Sequence, residues 1–349
     1  MNLFDNILSE DESLFVNPEA LDYDYLPKLL PYRENQQFYL ASCIKPLFQG
    51  RTGKNILITG KPGIGKTAAT RFVLRDLENE TETIIPIYIN CWKKDTTHKV
   101  ILDICEQVGY KWVQNKKTDE LIKEVANILN KKAAVVVLDE VDKLESEQVI
   151  YELLEDIYKK CLFLITNDEE WLANLDSRVR SRLIPEVVDF YAYNAAETEG
   201  ILKQRIEYAF VPKVWSDEAL ELVSEKTFEI GDIRVGMFLL RETGQIAENK
   251  GARKILKAHA EEAIEKLSDF KVVSSKDLSE EDKDVLVMIK NSPNKTITEM
   301  YEIYNKKYDK SYRTFQRKLK GLEEANLVTV KEGVTEKGGK SSRVDIVRK

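Results

Sequence analysis

Eight residues, Gly60-Lys61-Pro62-Gly63-Ile64-Gly65-Lys66-Thr67, constrain this chain more tightly than any other stretch. They follow the apolar run Asn55 to Thr59 and precede a segment with helical spacing, Ala68 to Leu77. Strand, glycine loop and helix in that order form a clamp for phosphate. Glycines let the backbone approach phosphate oxygens, and the amides at the start of a helix face the anion. The Lys66 ammonium neutralises the outer phosphates, while the Thr67 hydroxyl can ligand Mg²⁺. The predicted nucleotide contacts are therefore Gly60, Pro62, Gly63, Ile64, Gly65, Lys66, Thr67 and Ala68.

A clamp of this kind needs acids at the carboxyl end of a neighbouring strand, and the chain has them. Ala133 to Leu138 is fully apolar and ends in Asp139-Glu140-Val141-Asp142. In an open α/β sheet these acids emerge beside the phosphates. Asp139 would hold Mg²⁺ and Glu140 would polarise the attacking water. Further strands are read at 83–90, 162–165 and 187–193, which makes five with 55–59. Asn167, after the fourth, either bonds the terminal phosphate or caps a turn. Arg178, Arg180 and Arg182 follow at alternate positions, as a charge for a phosphoryl transition state or as a solvated edge. Tyr32 and Arg33, just upstream of the clamp, are candidates for the wall around base and ribose, or a surface turn.

Length and charge set the wider frame. A chain of 349 residues supports two or three domains. Its 53 basic and 60 acidic residues give a net charge of -7, which excludes a uniformly basic coat. The excess is segregated: residues 306–349 carry 13 Lys and Arg against 6 acids, net +7, whereas residues 1–30 carry seven acids and one base, Lys28. Four scattered cysteines and two histidines argue against a disulfide framework or a metal cage. No secretory leader or long apolar run is apparent, so the expectation is a soluble, cytoplasmic protein associated with the nucleoid and not with a membrane.

From Asn194 the pattern turns helical, with Gly231-Asp232 opening a helix that carries Arg234 in its first turn, where a lid could lay it on the nucleotide. A short linker is expected over 270–276. Three helical segments follow, over 279–289, 298–306 and 311–324, and then two alternating segments around Gly333 and Gly338-Gly339. Three helices and a hairpin predict a winged helix. Arg313, Thr314, Arg317 and Lys320 fall on one side of its third helix, opposite Phe315, Leu319 and Leu322. That helix can enter a major groove while Lys337, Lys340 and Arg343 of the hairpin lie along a neighbouring phosphate strand. The expected organisation is an acidic arm over 1–30, an α/β nucleotide-binding domain over 31–193, a helical lid over 194–270 and a winged helix over 277–349.

Taken together, GKPGIGKT, VVVLDEVD, LITND, SRVRSRL and GDIR resemble the Walker A, Walker B, sensor 1, arginine-finger and sensor 2 motifs of the AAA+ ATPases. More narrowly, LPYRENQ, YINC, GDIRVGMFLLRETGQIA and the terminal winged helix resemble the archaeal origin-recognition and helicase-loading initiators, from about residue 17 onward. The resemblance implies a parallel five-stranded P-loop AAA+ domain, a helical lid and a winged helix. It implies an ATP-dependent replication initiator, slow to hydrolyse, whose ATP or ADP acts as a conformational switch with Mg²⁺. Such a protein binds duplex origin DNA through the winged helix and the AAA+ domain, and helps load a ring helicase of the MCM type, alone or with paralogous initiators. By position, Lys66, Thr67, Asp139, Glu140, Asn167 and Arg234 take the motif roles, and either Arg178 or Arg182 is the finger. The stretch that would form the AAA+ domain's own DNA contact, about Trp92 to Thr118, is short here. The hairpin tip, Glu332 to Lys340, is poor in arginine, so the resemblance carries over no sequence preference. Two other readings share the same parts: a branch-migration motor and a nucleotide-gated transcription regulator.

Overall fold

The computed structural model of the chain describes residues 13–273, 280–291, 296–308, 310–324, 328–334 and 340–346. Two compact units divide it, Met1–Ile264 and Glu265–Lys349.

In the first unit, α1 (Glu34–Phe48) leads into β1 (Ile56–Thr59), α2 (Lys66–Glu80) and β2 (Ile84–Asn90). Helices α3 (Thr97–Gln107) and α4 (Thr118–Leu129) precede β3 (Ala133–Asp139), and α5 (Gln148–Asp156) precedes β4 (Lys160–Ile165). Then come the short α6 (Trp171–Asn174), α7 (Ser177–Leu183) and β5 (Glu186–Asp189). All five strands are parallel, in the order β2-β3-β4-β1-β5. Every residue of β3 is buried, as an apolar strand covered on both faces requires. One face packs Leu40, Ile44 and Leu47 of α1 and Val73, Leu74 and Leu77 of α2 against Ile56, Ile58, Val135, Val137 and Phe163. The other packs α3, α4, α5 and α7 against Leu57, Ile87, Ile89, Val136, Leu138 and Leu164. Because β4 lies between β1 and β3, Asn167 after β4 is set between the clamp after β1 and the acids after β3.

Four further helices follow: α8 (Ala195–Ala209), α9 (Asp217–Ile230), α10 (Ile233–Asn249) and α11 (Lys257–Val273). The expected caps form. Asn194 and Glu197 make a reciprocal capping box, Ser216 accepts from the amide of Ala219, and Asp232 accepts from that of Arg234. Helix α11 runs through residues 270–273, where the sequence reading placed a linker. Ser268 to Val273 contains neither Gly nor Pro to end the helix earlier.

The acidic arm is ordered over its described part, and it packs. Leu14, Ala20 and Leu21 are buried, and Phe15 stacks on Phe210 with ring centroids 4.5 Å apart. Backbone bonds join Val16 N to Ala209 O at 2.8 Å and Val211 N to Leu14 O at 2.9 Å. Gly244 makes the approach possible, since a Cβ there would lie 2.5 Å from the Phe15 ring. Residues 13–31 thus form a strap across α8 and α10, continuing to α2, where Arg75 donates to the carbonyl of Pro27 at 3.1 Å.

The second unit contains α12 (Glu280–Asn291), α13 (Ile297–Tyr308), α14 (Tyr312–Glu324), β6 (Val328–Val334) and β7 (Lys340–Ile346). The two strands pair antiparallel from Val328↔Ile346 to Val334↔Lys340, which completes three helices and a hairpin. Val285, Ile289, Met300, Tyr304, Phe315, Leu319, Leu322, Val328 and Val344 form its core.

Candidate nucleotide cleft and nucleic-acid interface

A cleft opens at the carboxyl ends of the strands, lined by the loop from Pro62 to Ala68, by Asp139, Glu140 and Asn167, and by Arg234 of α10. The loop takes a shape only glycine tolerates readily: Gly63 has φ 73° and Gly65 φ 90°, both left-handed. At Gly63 there is a second reason. A Cβ would stand 1.9 Å from Oδ1 of Asp232, so the carboxylate that caps α10 rests directly against the loop, while Ile233 N donates to Gly63 O at 3.2 Å.

The Lys66 side chain is buried, and its ammonium donates to Gly60 O at 2.6 Å, Lys61 O at 2.8 Å and Asn167 Oδ1 at 2.7 Å. Burial pushes its pKa down to about 8, against the pull of the Asp139 carboxylate. Thr67 Oγ1 donates to Asp139 Oδ2 at 2.6 Å, and Glu140 N donates to Asp139 Oδ1 at 2.9 Å. Glu140 holds a left-handed backbone, φ 55°, a conformation that costs a non-glycine residue roughly 1 kcal/mol or more. Burial, with the charges of Asp139 and Asp142, raises its carboxyl above the ordinary value. Asp142 goes the other way. Burial opposes its ionisation, but hydrogen bonds from Lys143 and Thr166 hold it below the ordinary value. Burial and charge therefore shift these neighbouring acids in opposite directions.

Arg234 reaches the cleft while paired with Asp232, Nη2 to Oδ2 at 2.6 Å. Neither finger candidate lines the cleft. Arg178, on a side chain 82% exposed, has Asp176 at 3.5 Å, whereas Arg182 is tied to Glu155 at 2.5 Å and lies over the Tyr151 ring.

Three predicted nucleotide contacts stand elsewhere. Gly60 is packed under Phe190, whose carbonyl would lie 2.4 Å from a Cβ, and contributes only its own carbonyl to Lys66. Arg33 is buried behind the loop: Nη2 donates to Ile64 O at 2.9 Å and to Tyr191 O at 2.7 Å, with the Tyr193 ring 3.7 Å from the guanidinium. It braces the clamp instead of facing a ligand. Tyr32 packs its hydroxyl on Gly200 of α8. The side wall is formed by Tyr23, Tyr25 and Leu26 of the strap with Ile201, Gln204 and Arg205 of α8. Arg205 fastens the two, donating to Ala20 O at 3.1 Å and Tyr25 O at 3.3 Å. The only sequence signal for this wall was apolar residues interleaved among the acids of the arm.

In the second unit, Arg313, Thr314, Arg317 and Lys320 line one shallow groove on α14 with Ser311 and Gln316, opposite the buried Phe315, Leu319 and Leu322. Other bases of the segment are engaged internally: Lys307 with Asp284, Lys310 with Glu281 at 3.0 Å, and Lys318 with Asp282 at 2.7 Å. Lys337 lies outside the described residues. Lys340 and Arg343 are described only as backbone positions on β7.

Known proteins share this arrangement. A family profile described as an AAA domain matches residues 49–166, and another, described as a Cdc6 AAA+ ATPase-type lid domain, matches residues 199–265. ORC1-type DNA replication protein 1 of Archaeoglobus fulgidus is 34% identical over 326 residues, covering 88% of this chain and 80% of the relative. The chain belongs to the ORC1-type DNA replication proteins. The protein of the same name from Sulfurisphaera tokodaii is 36% identical over 329 residues, covering 87% and 82% of the two chains. Among solved structures, the Aeropyrum pernix ORC1 protein in complex with DNA superposes with a TM-score of 0.74 at 27% identity, covering 96% of this chain and 94% of that one.

As an AAA+ ATPase of the ORC1 type, the protein binds nucleotide, and the depressed Lys66 predicts a pH dependence for that binding. An ammonium, not an amine, must meet the phosphates. Affinity is therefore expected to be level below about pH 8 and to fall by up to about tenfold per unit above it, as binding begins to require uptake of one proton. Calorimetry in two buffers of different ionisation enthalpy would read that uptake. A flat profile from about pH 7 to about pH 9.5 would contradict the assignment.

Proposed function

We propose that this ORC1-type protein is a replication initiator that binds duplex origin DNA through α14 and the adjoining hairpin, and that MgATP in the cleft switches its conformation. The observation that carries the DNA assignment is the single exposed groove uniting Arg313, Thr314, Arg317 and Lys320 with Ser311, on a helix whose opposite side is core. Arginines and hydroxyls on one helical face match the acceptors of phosphates and base edges.

The donor set in the cleft fits Mg²⁺. Among the described residues no cluster of three or more His, Cys, Asp or Glu forms a closed metal cage. A hydroxyl and one carboxylate, Thr67 and Asp139, suit a hard cation that keeps waters and takes phosphate oxygens as its other ligands. When bound, that cation supplies positive charge across the outer phosphates. Lys66 neutralises the terminal phosphates and Asn167 orients either them or the water. Glu140, with its raised carboxyl, takes the proton of the attacking water. Arg234 approaches from the lid, exchanging Asp232 for phosphate. The finger acts from a neighbouring copy, and Arg178 is the better placed candidate because Arg182 is already committed to Glu155.

Recruitment of a ring helicase, cooperation with paralogous initiators and residence on the nucleoid complete the reading. ORC1-type membership favours it over a branch-migration motor or a transcription regulator. The test is protection of duplex DNA. Genome-wide mapping should recover discrete sites bound about 10³-fold or more tightly than random sequence. Equal occupancy of all duplexes would sink the origin-binding assignment.

A further inference from the structure

Tyr88 belongs to no motif role assigned above, yet it touches the acid on which the cation site depends. It stands on β2 opposite Val137, two residues before Asn90, which is paired with Asp139. Alternation along the strands brings Tyr88 and Asp139 to the same face of the sheet, beneath α2. There Tyr88 Oη donates to Asp139 Oδ2 at 2.7 Å, the oxygen that also receives Thr67 Oγ1 at 2.6 Å, while Oδ1 receives the Glu140 amide at 2.9 Å. The carboxylate is thereby held by three donors from three elements. Tyr88 itself does not line the cleft. Arg71 of α2, which does, lies 5.6 Å from the centre of its ring.

We propose that Tyr88 is a positioning residue for the divalent cation, fixing the orientation of Asp139 before and during nucleotide binding. The inference rests on the reading of Thr67 and Asp139 as the protein's contacts to that cation. Of the two hydroxyls on Oδ2, Thr67 must turn a lone pair toward the cation and is shared between two tasks. Tyr88 has one. Set back from the cleft, its phenol reaches the carboxylate but no ligand, and so it holds Oδ2 whatever occupies the site. Outer-shell donors of this kind typically contribute 10- to 100-fold to metal affinity.

The experiment is Tyr88→Phe in the full chain, which keeps the ring and removes one hydroxyl. Binding of a fluorescent, non-hydrolysable ATP analogue is measured in EDTA and across a Mg²⁺ titration. In EDTA the variant should bind within about twofold of the parent, while the Mg²⁺ concentration at half-effect should rise by about tenfold or more. An unchanged Mg²⁺ midpoint would overturn the proposal, as would an equal loss in EDTA, which would mean that Tyr88 shapes the cleft generally. Thr67→Val is the control for the underlying reading. If the parent shows no Mg²⁺ dependence, or Thr67→Val leaves it intact, the cation assignment itself fails and Tyr88 with it.

Discussion

Lys66→Ala is expected to abolish nucleotide binding while leaving the fold intact. The ammonium stands on the glycine loop, bonded to the carbonyls of Gly60 and Lys61, and two charge-assisted hydrogen bonds to phosphate at about 1.5–3 kcal/mol each correspond to a loss of about 10²- to 10⁴-fold in affinity. Folding should be spared for a reason visible in the site. Burial already pushes Lys66 below the ordinary lysine value, so its charge is held at some cost, and removing it relieves that cost. The partners left behind, the carbonyls of Gly60 and Lys61 and the Asn167 amide, belong to residues none of which is fully buried. Calorimetric titration with ATP and a thermal melt check both halves. Glu140→Gln separates binding from chemistry: affinity should persist, and turnover should fall by about 10²-fold or more once the proton acceptor is lost. Normal turnover in that variant would remove Glu140 from its assigned role, and tight binding by Lys66→Ala would move the phosphates elsewhere.

How much of this was legible in the sequence depended on how local the cause was. The glycine loop, the acids ending β3 and Asn167 each belong to a strand followed by its own turn, and the parallel sheet brings such turns together. The sheet order then needed no side-chain knowledge to bring Lys66 onto Asn167 and Thr67 onto Asp139. Helix caps were equally readable, since Asn194, Ser216 and Asp232 bond within three residues of themselves. What the sequence hid was made by contacts across long separations. Arg33 next to a loop reads as a ligand contact, but α1 packs on α2 and carries it behind Ile64. The wall of the cleft comes from a strap pinned by Arg205, a residue 185 positions away from Ala20. Tyr88 opens the YINC stretch, but no role could be attached to it, because register against β3, not local pattern, sets its hydroxyl on Asp139. Of the linker expected over 270–276, residues 270–273 are helical for a local reason, since without a breaker a helix continues, and 274–276 lie outside the described residues.

Neutralising Arg313, Arg317 and Lys320 together is expected to weaken duplex binding by about 10²-fold at physiological salt, taking about 1 kcal/mol for each lost contact. It should also flatten the salt dependence by about three. If the intact protein engages about six phosphates, its log–log salt slope should be near -5, and the variant's near -2. These three residues are the bases that line the groove on α14. Lys307, Lys310 and Lys318 face Asp284, Glu281 and Asp282, so the basic excess of the terminal segment overstates the charge that α14 offers to DNA. Glu281 shows how firmly that neutralisation is built in: hydrogen bonds from Tyr304 and Lys310, with the nearby Lys318 charge, hold its carboxyl down to about 2 despite the opposing effect of burial. The paired lysines supply a control. Lys307→Gln should disturb the unit's own pairing and leave the salt slope unchanged. The core of the unit, Phe315, Leu319 and Leu322, lies on the opposite side of α14 and is untouched by the triple substitution, so loss of binding would not reflect loss of fold. Unchanged affinity and slope would remove α14 as the DNA contact, pointing instead to the hairpin or to a role for this groove in docking a protein.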